Sequence, residues 1–94
     1  MKAKLLVKTK EIHDDGSIIE IVIWAVPQPT PPSSHYYKYR LYFGVGKNCR
    51  IRYDNERDKG DHKHINSIES DCSFTSLEQL LDDFENDVKN WRQV

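Results

Sequence analysis

Tyr36-Tyr37-Lys38-Tyr39-Arg40-Leu41-Tyr42-Phe43-Gly44-Val45-Gly46-Lys47-Asn48-Cys49-Arg50-Ile51-Arg52-Tyr53-Asp54 is the stretch that decides the fold. Side chains of an extended chain alternate between two faces, so Tyr37, Tyr39, Leu41, Phe43 and Val45 point one way and Tyr36, Lys38, Arg40 and Tyr42 the other. Gly44–Asn48 supplies a turn. Cys49–Asp54 then returns with Cys49, Ile51 and Tyr53 inward and Arg50, Arg52 and Asp54 outward. A register pairing Phe43 and Val45 with Ile51 and Cys49 predicts a hairpin with one apolar face and one basic face.

Working back toward the N-terminus, Pro27, Pro29, Pro31 and Pro32 cannot donate to a sheet ladder, so Pro27–Ser34 is expected as an extended surface connection. Before it, Ile18–Val26 is apolar on nearly both faces, the pattern of an interior strand covered on one side by a helix. His13–Ser17 carries turn residues, and Lys4–Ile12 is rich in strand formers, which predicts a further hairpin.

Toward the C-terminus, Asn55–Gly60 reads as a charged loop. Asp61–Ile65 reads as a short extended segment, leading to a last strand near Ser67–Ser70. Leu77, Leu80, Leu81, Phe84, Val88 and Trp91 fall at helical spacing, with Thr75 and Glu78 fitting a capping box. The expected architecture is α+β: an antiparallel sheet of four or five strands with one C-terminal helix packed on one face, its other face half open.

At 94 residues the chain is expected to be a single domain spanning 1–94. Charged residues make up 31% and apolar ones 37%, values of a soluble globular domain rather than a disordered one. A formal charge of -1 lacks the basic excess usual in nucleic-acid binders, but the charge is unevenly placed. Acids gather in the helical third and cations in the central hairpin. Cys49 and Cys72 form no C-x-x-C pattern and predict free, buried thiols in a reducing compartment. The lack of a long apolar stretch near the start predicts a cytoplasmic protein with no membrane association. Trp24 and Trp91 are expected in the core.

The densest chemical constellation is Tyr53-Asp54-Asn55-Glu56-Arg57-Asp58-Lys59-Gly60-Asp61-His62-Lys63-His64. Metal-free RNA cleavage needs a base for the 2′-hydroxyl, an acid for the leaving oxygen and cations around the phosphate, and these side chains meet those needs near neutral pH. If Asp61–Ile65 is extended, His62 and His64 share one face, with Asp61 and Lys63 on the other. His62 and His64 are the acid/base candidates, with Asp54 and Asp61 orienting them. Lys38, Arg40, Arg50, Arg52, Arg57, Lys59 and Lys63 are the candidate phosphate contacts, and tyrosines beside them suit single-stranded RNA. His35 could reach the same site from the proline-rich side.

Asp14-Asp15-Gly16, Ile23-Trp24-Ala25-Val26-Pro27, His35–Leu41, Tyr53–Arg57, Lys59-Gly60-Asp61-His62-Lys63-His64 and Phe74–Leu80 together resemble the TumE-type toxins over nearly the whole chain. The Y-D-N segment followed by G-D-H-x-H is the most recognisable part, and Asp58 stands where that family often carries glycine. The resemblance implies an intracellular growth-inhibiting toxin held silent by a helix-turn-helix antitoxin. A metal-independent endoribonuclease that needs no cofactor follows from the residues above together with small-toxin analogy. RNA is then the expected target, and the reading leaves room for a homodimer. Two alternatives stay open. One is a metal-dependent nuclease or hydrolase using His62, His64, Asp54 and Asp61. The other is a non-enzymatic inhibitor that binds its target through the basic sheet face or an edge strand.

Overall fold

The computed structural model describes residues 2–92. Six strands, β1 (Lys4–Ile12), β2 (Ser17–Ala25), β3 (Tyr37–Val45), β4 (Asn48–Glu56), β5 (Gly60–Ile65) and β6 (Ile68–Asp71), precede one helix, α1 (Leu77–Arg92). The strands form one sheet in the order β1-β2-β3-β4-β5-β6, each antiparallel to its neighbour in the chain. The α+β class and the C-terminal helix agree with the sequence reading; the strand count exceeds the expected four or five.

The short extended segment at Asp61–Ile65 and the last strand expected near Ser67–Ser70 are both present, as β5 and β6, joined by a turn without glycine. Asn66 and Ser67 both take left-handed conformations, with φ of 50° and 74°, and connect β5 directly to β6. Two consecutive left-handed residues match the right-handed twist of a tight hairpin, and Asn is the non-glycine residue that enters this region most readily. The charged loop is likewise shorter than expected. β4 runs on through Glu56, β5 starts at Gly60, and only residues 57–59 lie between.

Alternation builds the core. Ile23, Tyr39, Leu41, Phe43, Ile51 and Tyr53 from the sheet meet Leu80, Phe84 and Val88 from α1, all at 6% exposure or less. Each such apolar side chain contributes about 1.5–3 kcal/mol through burial. Tyr53 meets Phe84 edge to face at 5.8 Å, and Phe43 meets Trp91 at 5.4 Å. The helix begins one residue later than Thr75 would set it: Ser76 Oγ accepts the Gln79 N–H at 3.0 Å, so Ser76 is the cap.

Two expected core residues lie elsewhere. Phe43 pairs with Ile51 as expected, but Gly44 then pairs with Cys49 and Val45 with Asn48. The extra residue is a bulge at Arg50, and it turns Cys49 out to solvent, correcting its inward assignment. Trp24 falls on the opposite parity to Ile23 and is 37% exposed on the face away from α1. Among the described residues, no helix is long and apolar enough to cross a membrane.

Candidate functional site on the open sheet face

Strand pairing places the charged residues in rows across the face that α1 leaves uncovered. One row runs Val22, Arg40, Asp54, His62, Asp71; the next runs Glu20, Tyr42, Arg52, His64, Glu69. Cations therefore lie on β3 and β4, and the histidines and most carboxylates on β4 to β6. The sequence parity that put His62 and His64 together holds in the sheet, with ring centroids 5.4 Å apart.

His62 is the buried centre of the cluster, with its side chain only 1% exposed. Its Nδ1 lies 3.0 Å from the Gly60 carbonyl oxygen, and because a carbonyl only accepts, Nδ1 carries the proton. Gly60 reaches this position with φ of 76°, a conformation that suits glycine. His62 Nε2 sits 2.6 Å from Asp54 Oδ1, yet the two are not aligned as a hydrogen bond and both are buried without one. Asp54 Oδ2 is held by Arg52 Nε at 3.2 Å. Glu69, reaching in from β6, places one oxygen 3.9 Å from His62 Nε2 and the other 3.9 Å from His64 Nε2. Both histidines with Glu69, or His62 with Asp54 and Glu56, have donor atoms close enough together to hold a metal ion.

Beside this cluster is a cavity of about 310 Å³ lined by Cys49, Arg50, Arg52, His64 and Ser67. Its lining residues include two arginines and a histidine and no carboxylate. Arg50, set at the bulge, also lies along the Trp91 ring at 5.6 Å, which ties its position to the end of α1.

The remaining predicted cations are dispersed. Arg40 stacks over Tyr42 at 5.0 Å, and Lys38 donates to the Asn55 carbonyl, so both belong to the open face but serve contacts of their own. Arg57 is exposed in the β4–β5 turn, and Lys59, also exposed there, lies 3.9 Å from Glu69. Lys63 projects to the helix side, over the Tyr53 ring at 5.6 Å and 3.7 Å from Asp87, and so is removed from the phosphate group of residues.

Asp61 requires the same correction. By strand alternation it faces the helix side, where it cannot orient His62 or His64. There Asp61 Oδ1 accepts from Tyr39 Oη and His35 Nε2, each at 2.7 Å, and Oδ2 accepts from Ser33 Oγ at 3.2 Å. His35 stacks on Phe74 with centroids 3.9 Å apart. His35 therefore belongs to this second cluster and not to the open face. The proline-rich segment is folded back here too: Asp58 N–H donates to the Pro31 carbonyl at 2.9 Å. Burial, then the hydrogen bond to Asp61, pushes the Tyr39 hydroxyl far above the ordinary phenol range. Burial and then Asp87 do the same to Tyr53, whose hydroxyl donates to that carboxylate. These groups stay protonated and act as fixed donors.

Two residues outside the sequence-based set matter. Asn55 is fully buried and splices β4 to β3, its Oδ1 accepting the Tyr39 N–H at 2.9 Å and its Nδ2 donating to the Tyr37 carbonyl at 2.7 Å. Glu69 is the other; once residues 66 and 67 are read as a turn, period-two pairing puts it opposite His64.

No curated protein and no solved structure matches the chain. A family model described as Toxin TumE matches residues 2–92, so that nearly every residue building the two clusters falls within it, and the chain belongs to the TumE toxin family.

Proposed function

We propose that this chain is the toxin of a toxin–antitoxin pair and that it disables RNA by cleaving it at the open sheet face without a metal. The observation that carries this reading is the cavity lined by Arg50, Arg52 and His64, which joins a cationic wall to an imidazole. A phosphodiester seated there is neutralised by the guanidiniums, whose planar forks suit phosphate oxygens. His64, with its side chain 23% exposed but its Nε2 buried, takes the 2′-hydroxyl proton at Nδ1 as that oxygen bonds to phosphorus, and returns it to the departing 5′-oxygen. His62 is too buried to touch RNA and acts as a positioning residue between Asp54 and His64. Arg40, Tyr42 and the exposed Trp24 extend the face for neighbouring nucleotides.

Cleavage of a mixed RNA substrate in the presence of a chelator tests this directly. Replacing His64 by alanine is expected to lower the rate about 100-fold, within the usual range for loss of a general acid–base group. Arg52→Ala weakens RNA binding and the rate together. Undiminished cleavage by the His64→Ala chain sinks the mechanism. Growth arrest without any RNA breakage, abolished by reversing the charge of Arg40 and Arg52, replaces it with blockade of a target by binding.

A further inference from the structure

We propose that His62, His64 and Glu69 form a site for a transition-metal ion of the zinc class, and that filling it withdraws His64 from RNA chemistry. The suppression rests on the RNA reading above, whereas binding of the ion does not.

The tautomer of His62 is the starting point. With Nδ1–H donated to the Gly60 carbonyl at 3.0 Å, a neutral ring presents the lone pair of Nε2 to its surroundings. That lone pair faces Asp54 Oδ1 at 2.6 Å without a hydrogen bond, in a side chain 1% exposed. A lone pair and a carboxylate this close repel unless Nε2 takes up a proton or a metal ion, and Arg52, 3.2 Å from the other Asp54 oxygen, offsets only part of the carboxylate charge. His64 Nε2 is also buried without a partner, and the two Glu69 oxygens approach the two Nε2 atoms at 3.9 Å, one each.

Two imidazole nitrogens and a carboxylate oxygen are a donor set that suits zinc and its first-row neighbours. Bonds of about 2.0–2.1 Å in a tetrahedron set donor atoms roughly 3.3 Å apart. The donor atoms lie within 4.8 Å of one another, and closing them to that value takes a small shift of Glu69, a half-exposed side chain on an edge strand, together with the His64 ring. The Gly60 carbonyl already supplies the second hydrogen bond that metal-bound histidines use to fix their orientation. The alternative group of Asp54, Glu56 and His62 is less suited, because Arg52 holds Asp54 at 3.2 Å. A metal–Nε2 bond at His64 leaves the ring proton on Nδ1, so that Nδ1 no longer has a lone pair to accept the 2′-hydroxyl proton.

Calorimetric titration of the untagged full chain with Zn²⁺, and the visible spectrum of the Co²⁺ form, test the site without RNA. One ion per chain at low-micromolar affinity or tighter is expected, with the Co²⁺ bands of a four-coordinate site. Glu69→Gln and His64→Ala should each weaken binding roughly tenfold or more, as losses even of supporting groups do. Glu69→Gln, at an exposed position, should leave the thermal melt unchanged, while Arg50→Ala should leave metal affinity unchanged. Binding to the Glu69→Gln or His64→Ala chain as tight as to the parent overturns the site, as does failure of the parent to bind. If Zn²⁺ binds but RNA is cleaved equally by loaded and metal-free protein, the suppression is overturned and the site stands. Absence of any cleavage by metal-free protein condemns the RNA reading, and the suppression with it.

Discussion

Two histidine–aspartate pairs sit on opposite faces of the sheet, with almost the same separation and opposite hydrogen-bond logic. In the pair beneath the proline-rich segment, the Tyr37 N–H donates to His35 Nδ1 at 3.2 Å, so Nε2 carries the proton and gives it to Asp61 at 2.7 Å. Tyr39 and Ser33 fill the remaining capacity of that carboxylate. In the open-face pair a carbonyl holds the proton on the other nitrogen, and Asp54 meets His62 Nε2 at 2.6 Å with nothing to bond. A buried polar network whose members are all satisfied stabilises one arrangement, whereas an unsatisfied one is a place where a proton, an ion or a substrate can act. Similar distances therefore conceal different arrangements: one pair fastens a loop, and the other keeps unsatisfied atoms beside the cationic cavity.

The largest expected effect breaks the comparison at its carboxylates. Asp61→Ala strands three donors in a tight pocket and should cost about 3 kcal/mol, lowering the melting temperature by more than 10 °C or so for a domain of this size. Asp54→Ala should cost less, about 1 kcal/mol, while lowering RNA cleavage about 10-fold, since it loses an ion pair to the partly exposed Arg52 and no aligned hydrogen bond to His62. Thermal melts and rates on the two variants measure this crossover, and equal destabilisation by both removes the distinction. Tyr39→Phe should cost about 1 kcal/mol, the worth of one hydrogen bond to the closed pair, and leave cleavage rates unaltered.

Thiol reactivity sharpens the same contrast. Burial first, and then the neighbouring Asp61 charge, raises the Cys72 thiol, while Cys49 is exposed at the rim of the cationic cavity. Iodoacetamide should label Cys49 well before Cys72, as followed by intact mass, and Asp61→Ala should speed labelling of Cys72 by loosening its surroundings. The smallest effect lies outside both pairs, in the β1–β2 turn. There Asp15 Oδ1 accepts from the Ser17 hydroxyl at 2.6 Å and from its N–H at 2.9 Å, and these bonds hold the carboxyl below its ordinary value of 3.8. A depressed carboxyl contributes stability above the unfolded value and loses it as pH falls through the folded one. The turn should thus loosen only below about pH 4, visible as a shift of the Ser17 amide resonance.

Local periodicity made much of the fold legible in the sequence. Leu77, Leu80, Phe84 and Val88 mark α1 by spacing, and the β3–β4 hairpin follows from alternation around glycine. What escaped depends on single residues whose effect is geometric. The bulge at Arg50 reverses parity for Cys49, the Asn66-Ser67 turn fixes the register of a last strand that the sequence only located, and Ser76 rather than Thr75 accepts the first free amide of the helix. The open-face site was half legible. Period-two reasoning united His62 with His64 and placed Asp61 and Lys63 on the other side, but assigning both carboxylates to one role passed over that separation. Glu69 and His35 could not be placed by periodicity, because one depends on the turn before β6 and the other on a proline-rich segment folding back over β5.

Glu69 lies on a strand of four residues, Ile68–Asp71, that is exposed along its whole length and hydrogen-bonds within the sheet only to β5. Strand ends held by so little open and close far more often than the protein unfolds, so amide exchange in β6 should be fast while that in β3 and β4 reports the global stability. Each opening carries Glu69 away from the histidines and closure brings it back. The open-face cluster is thereby an intermittent assembly on a permanent scaffold, complete only for the fraction of time the outermost hairpin is zipped.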